Sequence, residues 1–134
     1  VHSVVSGGMQ ILSETGGFYI APTIVTNIGV SDRLVREEVF GPVLTVSRFT
    51  DEIDAISQAN ASDLGLASGV WTSNLGRAHR MVTNLHNGVV HVNTYGGSDN
   101  TVPLGGYKQS GNGHDKSLHA IEKFINKKTA WIKL

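Results

Sequence analysis

The chain has 134 residues, and its eleven Lys and Arg balance eleven Asp and Glu, so its formal charge is zero. Such a balance argues against electrostatic binding of nucleic acid or a membrane surface, since both are held through an excess of basic groups. Cysteine is absent, which excludes disulfides, Cys-ligated zinc, thiol redox chemistry and a cysteine nucleophile within this sequence.

The length fits one domain, and 40% hydrophobic residues supply a core. No apolar run approaches the roughly 18 residues that span a bilayer, and no charged-then-apolar leader stands first, so a cytoplasmic location is expected. The sequence opens on Val1 and not Met, which leaves a processed or truncated start open.

In chain order, residues 18–25 are β-branched and aromatic, with Pro22 restricting the strand to an edge or a bend. A short helical turn fits 31–38, stopped by Gly41-Pro42, and a strand fits 43–49. Thr50-Asp51-Glu52 puts a cap and acidic groups at a helix start, and Ile53, Ile56 and Ala59 follow at helical spacing. Residues 66–72 form an apolar run of strand length. Asn74 caps a second helix whose Leu75, Ala78, Met81, Val82 and Leu85 share one face. Asn87-Gly88 supplies the left-handed residue that ends a helix, and residues 88–92 form the next strand. Seven glycines lie from Gly88 to Gly113, both included. A third helix starts at Ser117, with Leu118, Ile121, Phe124 and Ile125 toward the core, and 129–134 reads as a closing strand. Strands alternating with helices predict an α/β fold, a largely parallel sheet flanked by helices.

The run from Gly105 to Gly113 invites a phosphate-loop reading through its amides and Lys108. The spacing fails, because a P-loop needs Lys and Ser or Thr straight after its second glycine, and Lys116 stands where a dinucleotide fingerprint needs its third glycine. A tight loop with positive-φ positions is the better reading. No two of the six histidines are spaced i, i+4, so no metal site is expected. His91 reads as a hydrogen-bonded core group, and His79 and His86 as surface residues. Asn60-Ala61-Ser62 fits a glycosylation sequon that nothing else supports. Glu37-Glu38 fits a solvated helix end, but it runs into Phe40-Gly41-Pro42. That combination presents a carboxylate for sugar hydroxyls and a ring for a flat heterocycle, at an element end where α/β sheets bind ligands.

These residues also resemble a known family. Glu37-Glu38-Val39-Phe40-Gly41-Pro42-Val43-Leu44 resembles the Glu-Glu-x-Phe-Gly-Pro signature of the NAD(P)-dependent aldehyde dehydrogenases, and Gly17-Phe18-Tyr19-Ile20-Ala21-Pro22-Thr23 the segment before it. Leu64-Gly65-Leu66-Ala67-Ser68-Gly69-Val70-Trp71-Thr72, Gly88-Val89-Val90-His91-Val92-Asn93 and Pro103-Leu104-Gly105-Gly106-Tyr107-Lys108-Gln109-Ser110-Gly111 follow in family order. Trp71, Arg77-Ala78-His79-Arg80-Met81, Gln109-Ser110-Gly111-Asn112-Gly113 and Asp115-Lys116-Ser117-Leu118-His119-Ala120 are most similar to bacterial γ-glutamyl-γ-aminobutyraldehyde dehydrogenases.

The resemblance implies that residues 1–128 are the C-terminal part of a catalytic domain and 129–134 an oligomerisation strand. It implies that Glu38 hydrogen-bonds the nicotinamide ribose and that Phe40 packs near the nicotinamide ring. Thr94, Tyr95, Asn100 and Val102 would border the aldehyde tunnel, within a loop spanning 94–102. His114 replaces a usual Arg and Leu104 a usual Phe, which puts an ion pair and some packing in question. The family's nucleophile is a cysteine that attacks the aldehyde, and its hydrolytic base is a glutamate. Both lie in the part of the family pattern that precedes this sequence.

The expected function is therefore that of a C-terminal fragment of an aldehyde dehydrogenase, inactive alone, with no catalytic residue and no metal of its own. NAD or NADP would serve the parent enzyme and bind this chain alone only weakly. Its partners would be a small aldehyde, in the parent, and further copies of itself through the last strand or exposed apolar surface. The alternatives are a non-catalytic oligomerising or partner-binding module of the same origin and, less well supported, a nucleotide-binding module built on Glu38 and the glycine loop.

Overall fold

The computed structural model describes residues 2–97 and 99–134. Within the mixed α/β fold the chain divides into two compact units, Val1–Ser62 and Asp63–Leu134.

The first unit is built on a three-stranded sheet of β1 (Ser3–Ser6), β4 (Thr23–Thr26) and β5 (Val43–Val46), in the order β1-β4-β5. The β4–β5 pair is parallel, Thr23 beside Val43 through Thr26 beside Val46, while β1 runs antiparallel to β4 with an irregularity after Val4. Pro22 has the effect expected of it, splitting the predicted strand into β3 (Tyr19–Ile20), which pairs with β2 (Gln10–Ile11), and β4. The crossover from β4 to β5 carries α1 (Arg33–Arg36), and α2 (Glu52–Asn60) follows β5. Helix α2 starts on a reciprocal cap: the Asp51 carboxylate accepts from the Asp54 N–H, and the Asp54 carboxylate from the Thr50 N–H. Gln58 and Thr50 donate to Asp54 and hold its carboxyl below the usual value. Val25, Ile28 and Thr23 are buried here.

The second unit is a βαβ unit with additions. Parallel strands β7 (Ala67–Val70) and β8 (Val89–Val92) are joined by α3 (Leu75–Asn84), which Asn74 caps by accepting from the Arg77 N–H. The expected face of α3 is buried at Ala78, Met81 and Leu85, while Leu75 and Val82 stay exposed. Two-residue antiparallel pairs complete the unit: β6 (Leu64–Gly65) with β10 (Tyr107–Lys108), and β9 (Leu104–Gly105) with β11 (His114–Asp115).

Two expectations are corrected, and the closing segment is without a partner strand among the described residues. Helix α3 is closed by Leu85 in extended backbone, so Gly88 is not its left-handed stop. Gly88 serves close approach instead, since a Cβ there would strike the Gly105 carbonyl. Residues Leu118–Phe124 form a 3₁₀ helix and not an α-helix, and its apolar side chains do not face a core. With three residues per turn, Leu118, Ile121 and Phe124 align in one row, and all three are exposed, as is Ile125. The segment 129–134 forms no ladder among the described residues, because a strand needs a partner edge; Trp131, Ile132 and Leu134 are exposed.

Candidate functional site

In the first unit Asp32 caps α1 by accepting from the Leu34 N–H, and its other oxygen lies 3.0 Å from His2 Nδ1. The helix ends at Glu37, whose carboxylate accepts from Arg33 Nε at 2.7 Å. The solvated helix-end reading therefore fits Glu37, and the neighbouring Glu38 is left exposed.

Two residues on, Phe40 sits in the left-handed region at φ 52 with its ring 90% exposed. A phenylalanine there carries backbone strain of about 1–2 kcal/mol. The turn that holds it is anchored twice: the Thr23 N–H donates to the Pro42 carbonyl and the Val43 N–H to the Gly41 carbonyl, both at 2.8 Å. Glu38 and Phe40 thus stand at the amino end of β5. The crevice outside the carboxyl ends of β4 and β5 is a different place, a cleft of about 750 Å³ lined by Thr26, Asn27, Ile28, Gly29, Val46, Ser47 and Arg48. The element-end argument is corrected accordingly, since the general preference of α/β sheets is for carboxyl ends.

The second unit carries the loop expected to border a tunnel. Its start is set by Asn93, left-handed at φ 54, whose side-chain amide accepts from the Thr72 N–H at 2.8 Å and donates to the Thr72 carbonyl at 2.9 Å. This clamp ties the end of β8 to the residues after β7. Thr94 is exposed; the Tyr95 ring is exposed and lies 5.6 Å from the His91 ring, tilted by 50°. His91 is half-buried against that ring. Trp71 and Tyr95 both lie over Gly69, where an added Cβ would meet the Trp71 ring at 2.8 Å and the Tyr95 ring at 3.1 Å.

Gly96 and Gly97 adopt positive φ, and Ser98, within the expected loop, lies outside the described residues. Beyond it the Asp99 carboxylate accepts from both the Thr101 N–H and its hydroxyl, at 2.8 and 2.7 Å. Those two donors, with the charge of Lys116, hold its carboxyl below the usual range. Asn100 is exposed and its carbonyl accepts from the Ser117 N–H at 2.8 Å; Val102 is exposed. Ser117 and Lys116 are both at positive φ, so strained backbone anchors the far side of the loop. His114 packs its ring edge-on against Tyr107 at 6.3 Å.

Each expected residue therefore has a defined place. Glu38 and Phe40 share one turn of the first unit, and Thr94, Tyr95, Asn100 and Val102 share one loop of the second. Sequence reasoning missed the Asn93 clamp and the Ser117 anchor. Asn93 was detectable, because asparagine straight after a strand tolerates the left-handed region and offers an amide for local bonds. Ser117 gave no such signal, since serine is not a left-handed residue. Among the described residues no three His, Asp or Glu side chains gather as a metal site would require, and no helix is long and apolar enough to cross a membrane.

Comparison with known proteins gives one family throughout. The pattern of the aldehyde dehydrogenase family matches residues 2–130. The NADP/NAD-dependent aldehyde dehydrogenase PuuC of Escherichia coli K12 is 57% identical over 115 residues, covering 86% of this chain and 23% of its own. A betaine aldehyde dehydrogenase of Rhizobium etli is 41% identical over 129 residues, covering 96% of this chain and 26% of its own. Among solved structures, the indole-3-acetaldehyde dehydrogenase AldA of P. syringae, a cysteine-to-alanine mutant in complex with NAD+ and IAA, superposes with a TM-score of 0.92. It is 51% identical over 99% of this chain and 27% of its own. The chain thus spans about a quarter of the length of the relatives it matches.

Proposed function

The chain belongs to the aldehyde dehydrogenase family, and from that premise we propose that it supplies the nicotinamide-ribose contact and one wall of the aldehyde tunnel in an NAD(P)-dependent dehydrogenase, without carrying the catalytic nucleophile itself. The observation that carries the reading is the turn Glu38–Phe40, which displays an exposed carboxylate and, two residues on, a 90% exposed phenylalanine on strained backbone. The exposed ring is free to pack on a flat ligand, and its left-handed backbone, an uncommon conformation for phenylalanine, supports a role outside the packing of its own unit.

The residues fit a nicotinamide nucleotide. Glu38 offers only acceptors, suited to ribose hydroxyls, and Phe40 a flat apolar face. The chemistry such a cofactor supplies when bound is hydride acceptance. In the second unit, Tyr95 and Val102 offer apolar wall; the Asn93 clamp and the Ser117–Asn100 bond fix the chain on either side of Tyr95, and Val102 follows two residues after Asn100. No cysteine is present to attack an aldehyde, which supports inactivity of the chain alone. Identity of 57% with PuuC against 41% with the betaine enzyme is in line with the resemblance to the γ-glutamyl-γ-aminobutyraldehyde subgroup.

The test is a hybrid in which this chain replaces its counterpart in PuuC. The hybrid is expected to oxidise aldehydes with NAD(P), and Glu38→Gln to raise the cofactor KM about tenfold, the worth of one hydrogen bond to a charged acceptor. An active hybrid indifferent to Glu38→Gln and Phe40→Ala overturns the assignment. Aldehyde-dependent NADH formation by the 134-residue chain alone overturns the claim of inactivity.

A second reading, an oligomerising module of the same family, draws on residues 129–134, where Trp131, Ile132 and Leu134 are exposed on a segment without a ladder partner. Gel filtration across a dilution series tests it, and a monomer at every concentration ends it.

A further inference from the structure

An Asn-Gly junction is chemically labile because a glycine nitrogen, unhindered by a neighbouring side chain, can reach the carboxamide carbon of the asparagine before it. The sequence contains two, Asn87-Gly88 and Asn112-Gly113, and by sequence they are equivalent. The structure separates them. At the first, Asn87 is half-buried and the Gly88 N–H donates to the Gly65 carbonyl at 3.0 Å. The Gly88 backbone is also pressed against the Gly105 carbonyl, so its nitrogen cannot turn toward Asn87 without breaking that packing. At the second, Asn112 is exposed in the connection between β10 and β11. Gly111 before it has φ 127, and the space beside both Gly111 and Gly113 is open, with nothing within 4 Å of where a Cβ would stand.

We propose that Asn112 is a site of spontaneous deamidation and that Asn87 is protected from it by the fold. The Gly113 main-chain nitrogen bonds to the Asn112 side-chain carbonyl carbon, ammonia leaves, and a succinimide ring remains. Water then opens the ring at either carbonyl, giving aspartate or isoaspartate at that position; no oxidant or other reactant is needed. The product adds one negative charge to a chain of zero formal charge, and the isoaspartate form lengthens the main chain by one methylene. Both changes fall just before His114 and Asp115, which pair with Gly105 and Leu104, and a few residues before the Ser117 N–H that holds the Asn100 carbonyl. Deamidation at Asn112 thus loosens the strained anchor of the loop from the outside.

The experiment is incubation of the folded chain in mildly alkaline buffer, followed by peptide mapping with mass spectrometry and isoaspartate detection. Conversion is expected at Asn112, and about tenfold or more slower at Asn87, where a hydrogen bond and packing must first be broken. In guanidinium the two junctions are expected to react at similar rates. Gly113→Ala, admitted by the open space there, is expected to slow Asn112 about tenfold or more and leave Asn87 unchanged. The proposal is overturned if Asn112 stays intact, if Asn87 keeps pace with it in the folded chain, if Asn87 stays slow in guanidinium, or if Gly113→Ala reacts as fast as the parent.

Discussion

Replacing Asn93 by alanine tests whether the loop at 94–102 is positioned by the clamp at its start. The substitution removes two hydrogen bonds, the 2.8 Å acceptance from the Thr72 N–H and the 2.9 Å donation to the Thr72 carbonyl. These bonds are exposed, so each is worth about 0.5–1 kcal/mol. Alanine must also hold φ 54, where it lacks the local bonding by which asparagine tolerates the left-handed region, at about 1 kcal/mol. The sum is a loss of about 2–3 kcal/mol. Asn93→Gly loses the same two bonds but relieves the dihedral, so its loss is expected at about 1–2 kcal/mol. Asn93→Asp keeps the acceptor for the Thr72 N–H but sets a carboxylate against the Thr72 carbonyl, and is expected to fall near the alanine variant. Urea unfolding of the four chains, read by the midpoint at constant m, measures the order. Alanine within about 0.5 kcal/mol of the parent, the range of an ordinary surface change, would show that the clamp does not hold this loop.

Gly88→Ala is expected to destabilise by about 1–3 kcal/mol or more, because the clashing atoms are the Gly105 backbone and not a flexible side chain; the same unfolding assay reads it. Met81→Ala, at 8% exposure on the buried face of α3, is expected to cost about 2–4 kcal/mol, whereas Phe40→Ala is expected to stay within about 1 kcal/mol because its ring is 90% exposed. A Phe40 variant as damaging as the Met81 one, by thermal melting, contradicts the displayed-ring geometry. The carboxyls of Asp54, Asp99 and Asp115 are all held low: Asp54 first by Gln58, Asp99 first by the Thr101 N–H, and Asp115 by its hydrogen bond to Lys123 and then by that charge. A carboxyl with a folded pKa below its unfolded value contributes stability above the unfolded value, near about 3.9, and loses it as the pH falls. Unfolding midpoints are therefore expected to hold down to about pH 5 and decline below about pH 4, with a shallower decline in Asp115→Asn.

Much of the local structure was legible in the sequence, because its causes are local. Asn74 and Asp51 cap helices where capping chemistry places them, Pro22 divides a strand that it cannot bond through, and Ala78, Met81 and Leu85 recur at the spacing of one buried helical face. Residue type marked out Glu37-Glu38 with Phe40, the resemblance chose Glu38 from the pair, and the turn that presents these residues follows from Gly41-Pro42.

What only the tertiary structure decided depends on which atoms meet across the chain. Gly88 looked like a helix stop and is a contact point for the Gly105 carbonyl, a fact set by a strand seventeen positions away. Leu118, Ile121 and Phe124 read as a core face, yet a hydrophobic period says only that a face is apolar and not that a layer covers it. The segment 129–134 has the composition of a strand, but a ladder needs a second edge, which no composition supplies. The two Asn-Gly pairs are the same by sequence; one glycine nitrogen is held in a hydrogen bond and packed against a carbonyl, and the other lies in an open loop. The residue types and their order determined the family and the chemistry on offer, and three-dimensional contact decided which of those groups are held and which are displayed.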